Sequence, residues 1–329
     1  MYSVFVTRKL PGQGLERLRD LCEVTVFPED RNMTKEELLE IIPGQDAVIT
    51  MLANPIDSEV IGAGQKLKVI ANYAVGFNNI DLAAATARGI AVVNTPDVLT
   101  AASADFAWAL LLATARRVVE GDALVRAGRF AGWAPELLLG VEVHGKTLGI
   151  VGAGRIGQAV AKRARGFAMR ILYHNRTRLP EDVERELGLE YADLDALLKE
   201  ADFVSLHCPL TPETRHLIGE RELGLMKPTA VLINTARGPV VDEGALVQAL
   251  REGRIYGAGL DVFENEPALH PGLAELPNVV LAPHIASAGR ETRLQMVDLV
   301  VSDVLAVLKG QRPRNLVNPE IWKREDSYE

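Results

Sequence analysis

At 329 residues the chain is long enough for two domains with separate apolar cores, and 48% hydrophobic with 24% charged residues is an ordinary globular composition. A net charge of −8 gives no basic footprint for nucleic acid or an anionic membrane, and no stretch approaches the roughly 18 apolar residues of a spanning helix. Cys22 and Cys208 are too few for a disulfide framework, which points to two free packed thiols and a reducing, cytoplasmic setting rather than a single bridge or a reactive thiol.

The chain opens on an apolar run, "YSVFV", where a secretory leader would be basic and then apolar. "VTVF", "DAVITM", "KVIAN" and "IAVVN" follow as strands, with "GLERLRDL", "TKEELLEII", "SEVIGAG" and "DLAAATARG" as amphipathic helical pieces between them. Apolar strands alternating with helices predict a parallel sheet covered on both faces. The series ends near Asn94, where "NTPDVLT" punctuates the chain. A long helix is expected over roughly Ala102 to Val119, apolar most of the way round, as in a buried element or a subunit interface. After the looser "AGRFAGWAPELLLGVEVHG" come the strands "KTLGIVG", "RILYH", "FVSLH", "AVLIN", "YGAGLDV" and "VVLAPH". A last helix covers roughly Arg290 to Leu308. The expected fold is α/β, two doubly wound parallel-sheet domains, with ligands in the crevices beyond the carboxyl ends of the strands.

Residues that follow apolar strands therefore carry the functional argument. Gly152, Gly154 and Gly157 lie between "KTLGIV" and the helix that opens with Arg155 and Ile156. With a strand before and a helix after, they form a dinucleotide fingerprint: glycines for a tight turn and close backbone approach, and a pyrophosphate on the helix N-terminus. About 20 residues on, a ribose-binding carboxylate is the usual companion. Here the second strand runs into Asn175, Arg176, Thr177 and Arg178 instead. Guanidinium groups form forked, charge-assisted bonds with phosphate, so NADP(H) is favoured and NAD(H) remains possible. At about 1.5–3 kcal/mol per charged hydrogen bond, one good pair favours NADPH by roughly ten- to a hundredfold.

His207, Arg237, Asp261 and His284 also follow strands. A histidine is the natural proton donor near neutral pH and an arginine the natural carboxylate clamp, as a nicotinamide enzyme acting on a 2-oxo acid requires. By position alone, His207 and His284 compete for the first role. No metal site is expected.

Four stretches, "VGAGRIGQAVAKRARGF", "NTARGPVVDEGAL", "GLDVFENEP" and "LAPHIASA", resemble the D-2-hydroxyacid dehydrogenase family, and especially its glyoxylate and hydroxypyruvate reductases. The resemblance spans the chain, including "NYAVGFNNID" and "NTPDVLT". It implies a Rossmann cofactor domain over 99–287 and a flavodoxin-like substrate domain from 1–98 and 288–329, closing on the substrate. It places the catalytic groups at Arg237, Glu266 and His284. Arg237 would grip the substrate, His284 would donate the proton, and Glu266 would favour the charged imidazole. Asp261, Ser103, Cys208, Pro209, Thr235 and Ala236 are implied cofactor neighbours, with His207 as packing on that side. Val75 and Gly76 are implied to hold the substrate carboxylate through their amides, and Leu52 to bound a small pocket.

Three departures from the family stand out. Ser103 replaces a frequent threonine, Val75 replaces the lysine of phosphite-oxidising relatives, and Leu137 stands where animal-type hydroxypyruvate reductases carry an aromatic. A homodimer is expected, with the long apolar helix and the loop around Trp133 at its interface, although Trp133 also suits a core position. The resemblance implies a small 2-oxo acid as substrate. The rival readings are a 3-phosphoglycerate dehydrogenase without a regulatory domain, for which Lys66 and Lys68 are the available cations, and a dinucleotide-sensing corepressor-like scaffold without turnover.

Overall fold

The computed structural model describes residues 1–322 and forms two compact units. Among the described residues, one comprises Met1–Leu99 together with 289–322, and the other Thr100–Ala288.

The first unit holds a five-stranded parallel sheet of β1 (Tyr2–Val6), β2 (Cys22–Val26), β3 (Ala47–Thr50), β4 (Val69–Asn72) and β5 (Ala91–Val93). Its order, β2-β1-β3-β4-β5, is that of flavodoxin-like sheets. All four residues of β3 and of β4 are buried, which requires cover on both faces. Helices α1 (Lys35–Ile41), α2 (Ser58–Ala63) and α3 (Leu82–Ala87) are each capped at the N-terminus by a side chain, from Thr34, Asp57 and Asp81. "GLERLRDL" forms only a short 3₁₀ turn over Gly14–Leu18.

The second unit begins with α4 (Thr100–Ala115) and α5 (Val118–Arg126). One continuous helix was expected there. The chain breaks at Arg117, which adopts a left-handed φ of 51°, and the Ala115 carbonyl accepts from the Val141 amide at 2.9 Å. Seven parallel strands follow: β6 (Thr147–Val151), β7 (Arg170–His174), β8 (Leu189–Tyr191), β9 (Phe203–Leu206), β10 (Val231–Asn234), β11 (Gly257–Leu260) and β12 (Val279–Leu281). Their order is β12-β11-β10-β9-β6-β7-β8, so the winding reverses between β6 and β9, as in a Rossmann sheet. The three-residue β8 was not foreseen; "LEY" is too short to show a period.

Helix α4 lies within its own core: Ala104, Ala107, Trp108, Leu110 and Leu111 are buried, and the Trp108 ring stacks on Phe167 with centroids 4.6 Å apart. Unburied apolar side chains lie further along, on α5 and the stretch after it, where Trp133 is 84% exposed. In the first unit the chain closes with α11 (Arg290–Leu308), preceded by α6 (Arg155–Ala164), α7 (Glu181–Leu187), α8 (Leu194–Glu200), α9 (Glu220–Leu225) and α10 (Glu243–Arg251) of the second. Among the described residues no helix is long and apolar enough to cross a membrane. Cys22 and Cys208 are free and buried.

Candidate active site

The winding reversal of the second unit lies where β6 and β9 end, and the glycine turn occupies it. Gly152 has φ +97°, and a Cβ there would lie 2.5 Å from the Cys208 amide nitrogen, so the turn is pressed against the end of β9. A Cβ on Gly157 would lie 2.3 Å from the Gly152 carbonyl oxygen. Gly154 differs, because nothing approaches within 4 Å of its Cβ position. It begins α6, and no side chain caps that helix. An uncapped ten-residue helix with open space over its first turn, where Arg155 and Ile156 sit, suits a dinucleotide pyrophosphate. Asn175 Oδ1 accepts from the Ala153 amide at 2.7 Å and ties this turn to the end of β7.

The arginines beyond β7 divide. Arg178 donates through Nε and Nη2 to both carboxylate oxygens of Glu184, each at 2.8 Å, and lies 5.8 Å from the Tyr191 ring centroid. The Tyr173 hydroxyl also bonds Glu184 and accepts from the Leu179 amide. Arg178 first and Tyr173 second hold the Glu184 carboxyl down to about 2. Arg176 and Thr177 are exposed, and the charge of Arg176 lowers the Glu213 carboxyl after hydrogen bonds from Thr211 and the backbone have done so.

The three catalytic candidates come from adjacent strand ends of one sheet. After β10, buried Asn234 accepts from the Ala236 amide and donates to the Arg237 carbonyl, both at 3.0 Å, which fixes the turn carrying Arg237. Burial pushes the Arg237 guanidinium below its ordinary value, while the Glu266 charge opposes that shift. A Cβ on Gly238 would fall 1.9 Å from the Phe263 carbonyl carbon, so the arginine turn lies directly on the loop after β11. That loop carries Glu266. Its Oε1 accepts from the Phe263 amide at 3.1 Å, and its Oε2 meets His284 Nδ1 at 2.8 Å. Burial is the largest influence on Glu266 and acts upward, but the bond and charge of His284, the Phe263 amide and Arg237 leave the carboxyl below its usual range.

His284 follows β12 in a left-handed conformation, φ 54°. Asp261 holds it there. The Asp261 carbonyl accepts from the His284 amide at 2.9 Å, and its two carboxylate oxygens accept from Ile285 and Ala286 at 2.7 and 2.8 Å. Asp261 is fully buried, and that burial raises its carboxyl against the pull of the two amides and of His284. The sequence suggests Asp261 as a cofactor neighbour; the structure adds its grip on the histidine turn.

His207 and His284 lie in different surroundings. His207 Nε2 bonds Ser205 Oγ at 2.8 Å, and burial pushes its ring down to about 4, so it is neutral at neutral pH. An unfolded histidine protonates near pH 6.5, whereas the native ring resists until about pH 4, so stability falls as pH drops through that window. His207→Gln is expected to remove about 2 kcal/mol of the stability lost between pH 7 and pH 5. Urea unfolding at both pH values checks this, and an unchanged loss in the variant rejects it. Neighbouring Cys208 is pushed up to about 11 by burial and carries no reactive thiolate. Ser103 and Ala236 are buried and Pro209 is exposed. Thr235 Oγ1 is buried without a partner among the described residues, and a ligand hydroxyl or amide would satisfy it.

In the first unit, the loops carrying Leu52 and Val75-Gly76 are laced by asparagines. Asn72 Nδ2 donates to the Gly76 carbonyl at 2.6 Å and Asn94 Nδ2 to the Val75 carbonyl at 2.7 Å. Asn79 Nδ2 donates to the Met51 and Asn54 carbonyls at 3.2 and 3.1 Å. The amides of Val75 and Gly76 meet no acceptor among the described residues, so both remain available to an anion. Lys66 and Lys68 precede β4, at the opposite ends of the strands, and Lys68 is paired with Asp46 at 3.1 Å. The asparagine lacing, Asn234, Glu184 and the second role of Asp261 were not foreseen. "NYAVGFNN" held a visible signal in its asparagines after a strand, and Asn234 and Glu184 have partners nearby in sequence, whereas the second role of Asp261 depends on residues 24 and 25 positions away.

Comparison with known proteins shows the family. Residues 108–286 match the model of the D-isomer specific 2-hydroxyacid dehydrogenase NAD-binding domain. A glyoxylate reductase of Thermococcus gammatolerans is 55% identical over 98% of this chain and 97% of its own. The crystal structure of an NADPH-dependent glyoxylate/hydroxypyruvate reductase from Sinorhizobium meliloti, in complex with NADP and malonate, superposes with a TM-score of 0.86 at 36% identity, covering 98% of each chain. A Thermus thermophilus structure reaches 0.90 at 53% identity over 96% of this chain and 99% of that one. The chain therefore belongs to the D-isomer specific 2-hydroxyacid dehydrogenase family and is an oxidoreductase with an NAD-binding domain.

Proposed function

We propose that this enzyme reduces glyoxylate, and hydroxypyruvate as a second substrate, to the 2-hydroxy acid with NAD(P)H, NADPH being favoured. The observation that carries this reading is the Glu266–His284 pair at 2.8 Å on the sheet that also delivers Arg237. The reduced nicotinamide, when bound, supplies hydride to C2 of the substrate. Arg237 binds the substrate's carboxylate and carbonyl as a cation in a largely desolvated setting. With Nδ1 of His284 engaged by Glu266, the ring is oriented so that Nε2 presents a proton to the oxygen that becomes the hydroxyl. In the oxidative direction the neutral ring takes that proton back. The free amides of Val75 and Gly76 are assigned to the substrate carboxylate, and Leu52 to the wall of its pocket.

The names of similar enzymes from Thermococcus gammatolerans and Sinorhizobium meliloti support the substrate class. Phosphoglycerate oxidation fits less well, because Lys66 and Lys68 lie at the wrong ends of the strands to meet a phosphate held beside Val75. A two-by-two rate matrix, glyoxylate and hydroxypyruvate against NADPH and NADH, tests the proposal, with phosphohydroxypyruvate as a further substrate. Preference for the phosphorylated acid overturns the substrate assignment, and no turnover with any 2-oxo acid favours a scaffold.

For the cofactor, Arg176 is assigned as the main reader of the 2′-phosphate, because two nitrogens of Arg178 are committed to Glu184. Arg176→Ala is expected to raise the KM for NADPH about tenfold or more and to spare NADH. Equal loss with both cofactors removes the arginine from phosphate reading. The proposed assembly is a homodimer, in the cytoplasm. Val118, Val119, Val125, Phe130, Trp133 and Leu139 are each more than half exposed, an apolar surface that a second copy would cover. A one-chain mass in sedimentation would remove the dimer.

A further inference from the structure

Arg237 and Glu266 stand on two loops, after β10 and after β11, and a third segment fastens those loops to each other. The chain from His216 to Ile218 runs alongside the arginine loop: the His216 amide donates to the Pro239 carbonyl at 2.8 Å, and the Ile218 amide to the Val240 carbonyl at 3.1 Å. The His216 side chain turns the other way, and its Nε2 bonds Glu264, two residues before Glu266. Glu264 is held again from α10, where its amide donates to Glu243 Oε1 at 2.8 Å and its Oε2 accepts from the Glu243 amide at 3.4 Å. His216 thus grips one loop with its backbone and the other with its imidazole. It does so at φ 52°, a left-handed conformation uncommon for residues other than glycine, though histidine is among the side chains that adopt it more often. That conformation accompanies the bond from its side chain to Glu264.

We propose that His216 is a positioning residue for the reaction: by holding Glu264 while Pro239 holds its own amide, it keeps Glu266 in register with Arg237 and so aims His284. The loops touch at Gly238 and Phe263, and that contact alone would let the acid-bearing chain slide, because backbone packing fixes separation better than register. The inference rests on the catalytic roles given above to Arg237, Glu266 and His284.

Two variants of the full chain separate the bond from the backbone. His216→Gly accepts the left-handed φ without strain and removes the donor. His216→Gln places an amide N–H at about the reach of Nε2. Expected in the glycine variant are a kcat for glyoxylate reduced about 10- to 100-fold, a KM changed less than about threefold, and a crystal structure in which Glu266 and His284 no longer meet at hydrogen-bonding distance. The glutamine variant is expected to restore kcat to within about threefold of the parent and to restore the pair. A glycine variant that keeps the Glu266–His284 bond, or that loses it with kcat intact, overturns the proposal. The crystallographic comparison decides the point even if the parent enzyme turns over no 2-oxo acid, an outcome that would count against the proposed activity instead.

Discussion

Alanine at position 284 is expected to lower kcat for glyoxylate about 10²–10⁴-fold, the scale of a positioned acid-base group. The loss should fall mainly on turnover, since Arg237 and the cofactor contacts remain to bind the reactants. The proposed donor role of His284 rests on geometry: its Nδ1 is oriented by Glu266 at 2.8 Å, whereas the His207 ring is held down to about 4 by burial and is uncharged at neutral pH. Because the Glu266 carboxyl lies below its ordinary range, the pair persists as pH falls through that range and is lost only further down. The acid limb of the rate profile should therefore not show a carboxylate titrating at its ordinary value. Steady-state kinetics with the alanine variant decides the matter, and near-normal turnover removes His284 from the mechanism.

Asp261→Asn should damage both stability and rate. The carboxylate offers one oxygen to the Ile285 amide and the other to the Ala286 amide. Asparagine has a single acceptor oxygen, so its NH₂ would face a buried N–H. An unsatisfied buried amide costs about 1–3 kcal/mol, and the clash of donors adds to it. The left-handed turn at His284 costs about 1–2 kcal/mol by itself and persists because those amides are gripped. We expect a destabilisation of about 2–3 kcal/mol and a fall in kcat of about tenfold or more as the imidazole loses its aim. Urea unfolding and steady-state rates measure the two effects. Parental values for both would show that the turn holds without this clamp.

Alternation of apolar runs with amphipathic pieces made the two parallel sheets legible, and β6 followed by three glycines and α6 made the nucleotide turn legible. Arg237, Glu266 and His284 were placed by resemblance; position after a strand left His207 equally eligible. What separates the two histidines is the contact of His284 with Glu266 and the burial that holds the His207 ring down to about 4, and no local pattern encodes either. Arg178 shows the same limit. In the sequence it is one of two guanidiniums after a strand, while Glu184, six residues on, holds it by two hydrogen bonds. The break between α4 and α5 escaped because its cause, the Val141 amide on the Ala115 carbonyl, comes from a distant segment. Lys66 and Lys68 already stood before or at the start of the predicted strand "KVIAN"; what the sequence did not show was the pairing of Lys68 with Asp46.

The glycine turn also bears on how such enzymes decay. Gly152 and Gly157 answer to the protein's own backbone, with 2.5 Å and 2.3 Å to the nearest atoms a Cβ would meet, whereas Gly154 faces empty space. A descendant that lost its nucleotide but kept its shape would retain the outer two glycines, and only the middle one would drift. Among distant cousins, the identity of that single residue is thus a sharper marker of living redox chemistry than the three-glycine signature as a whole.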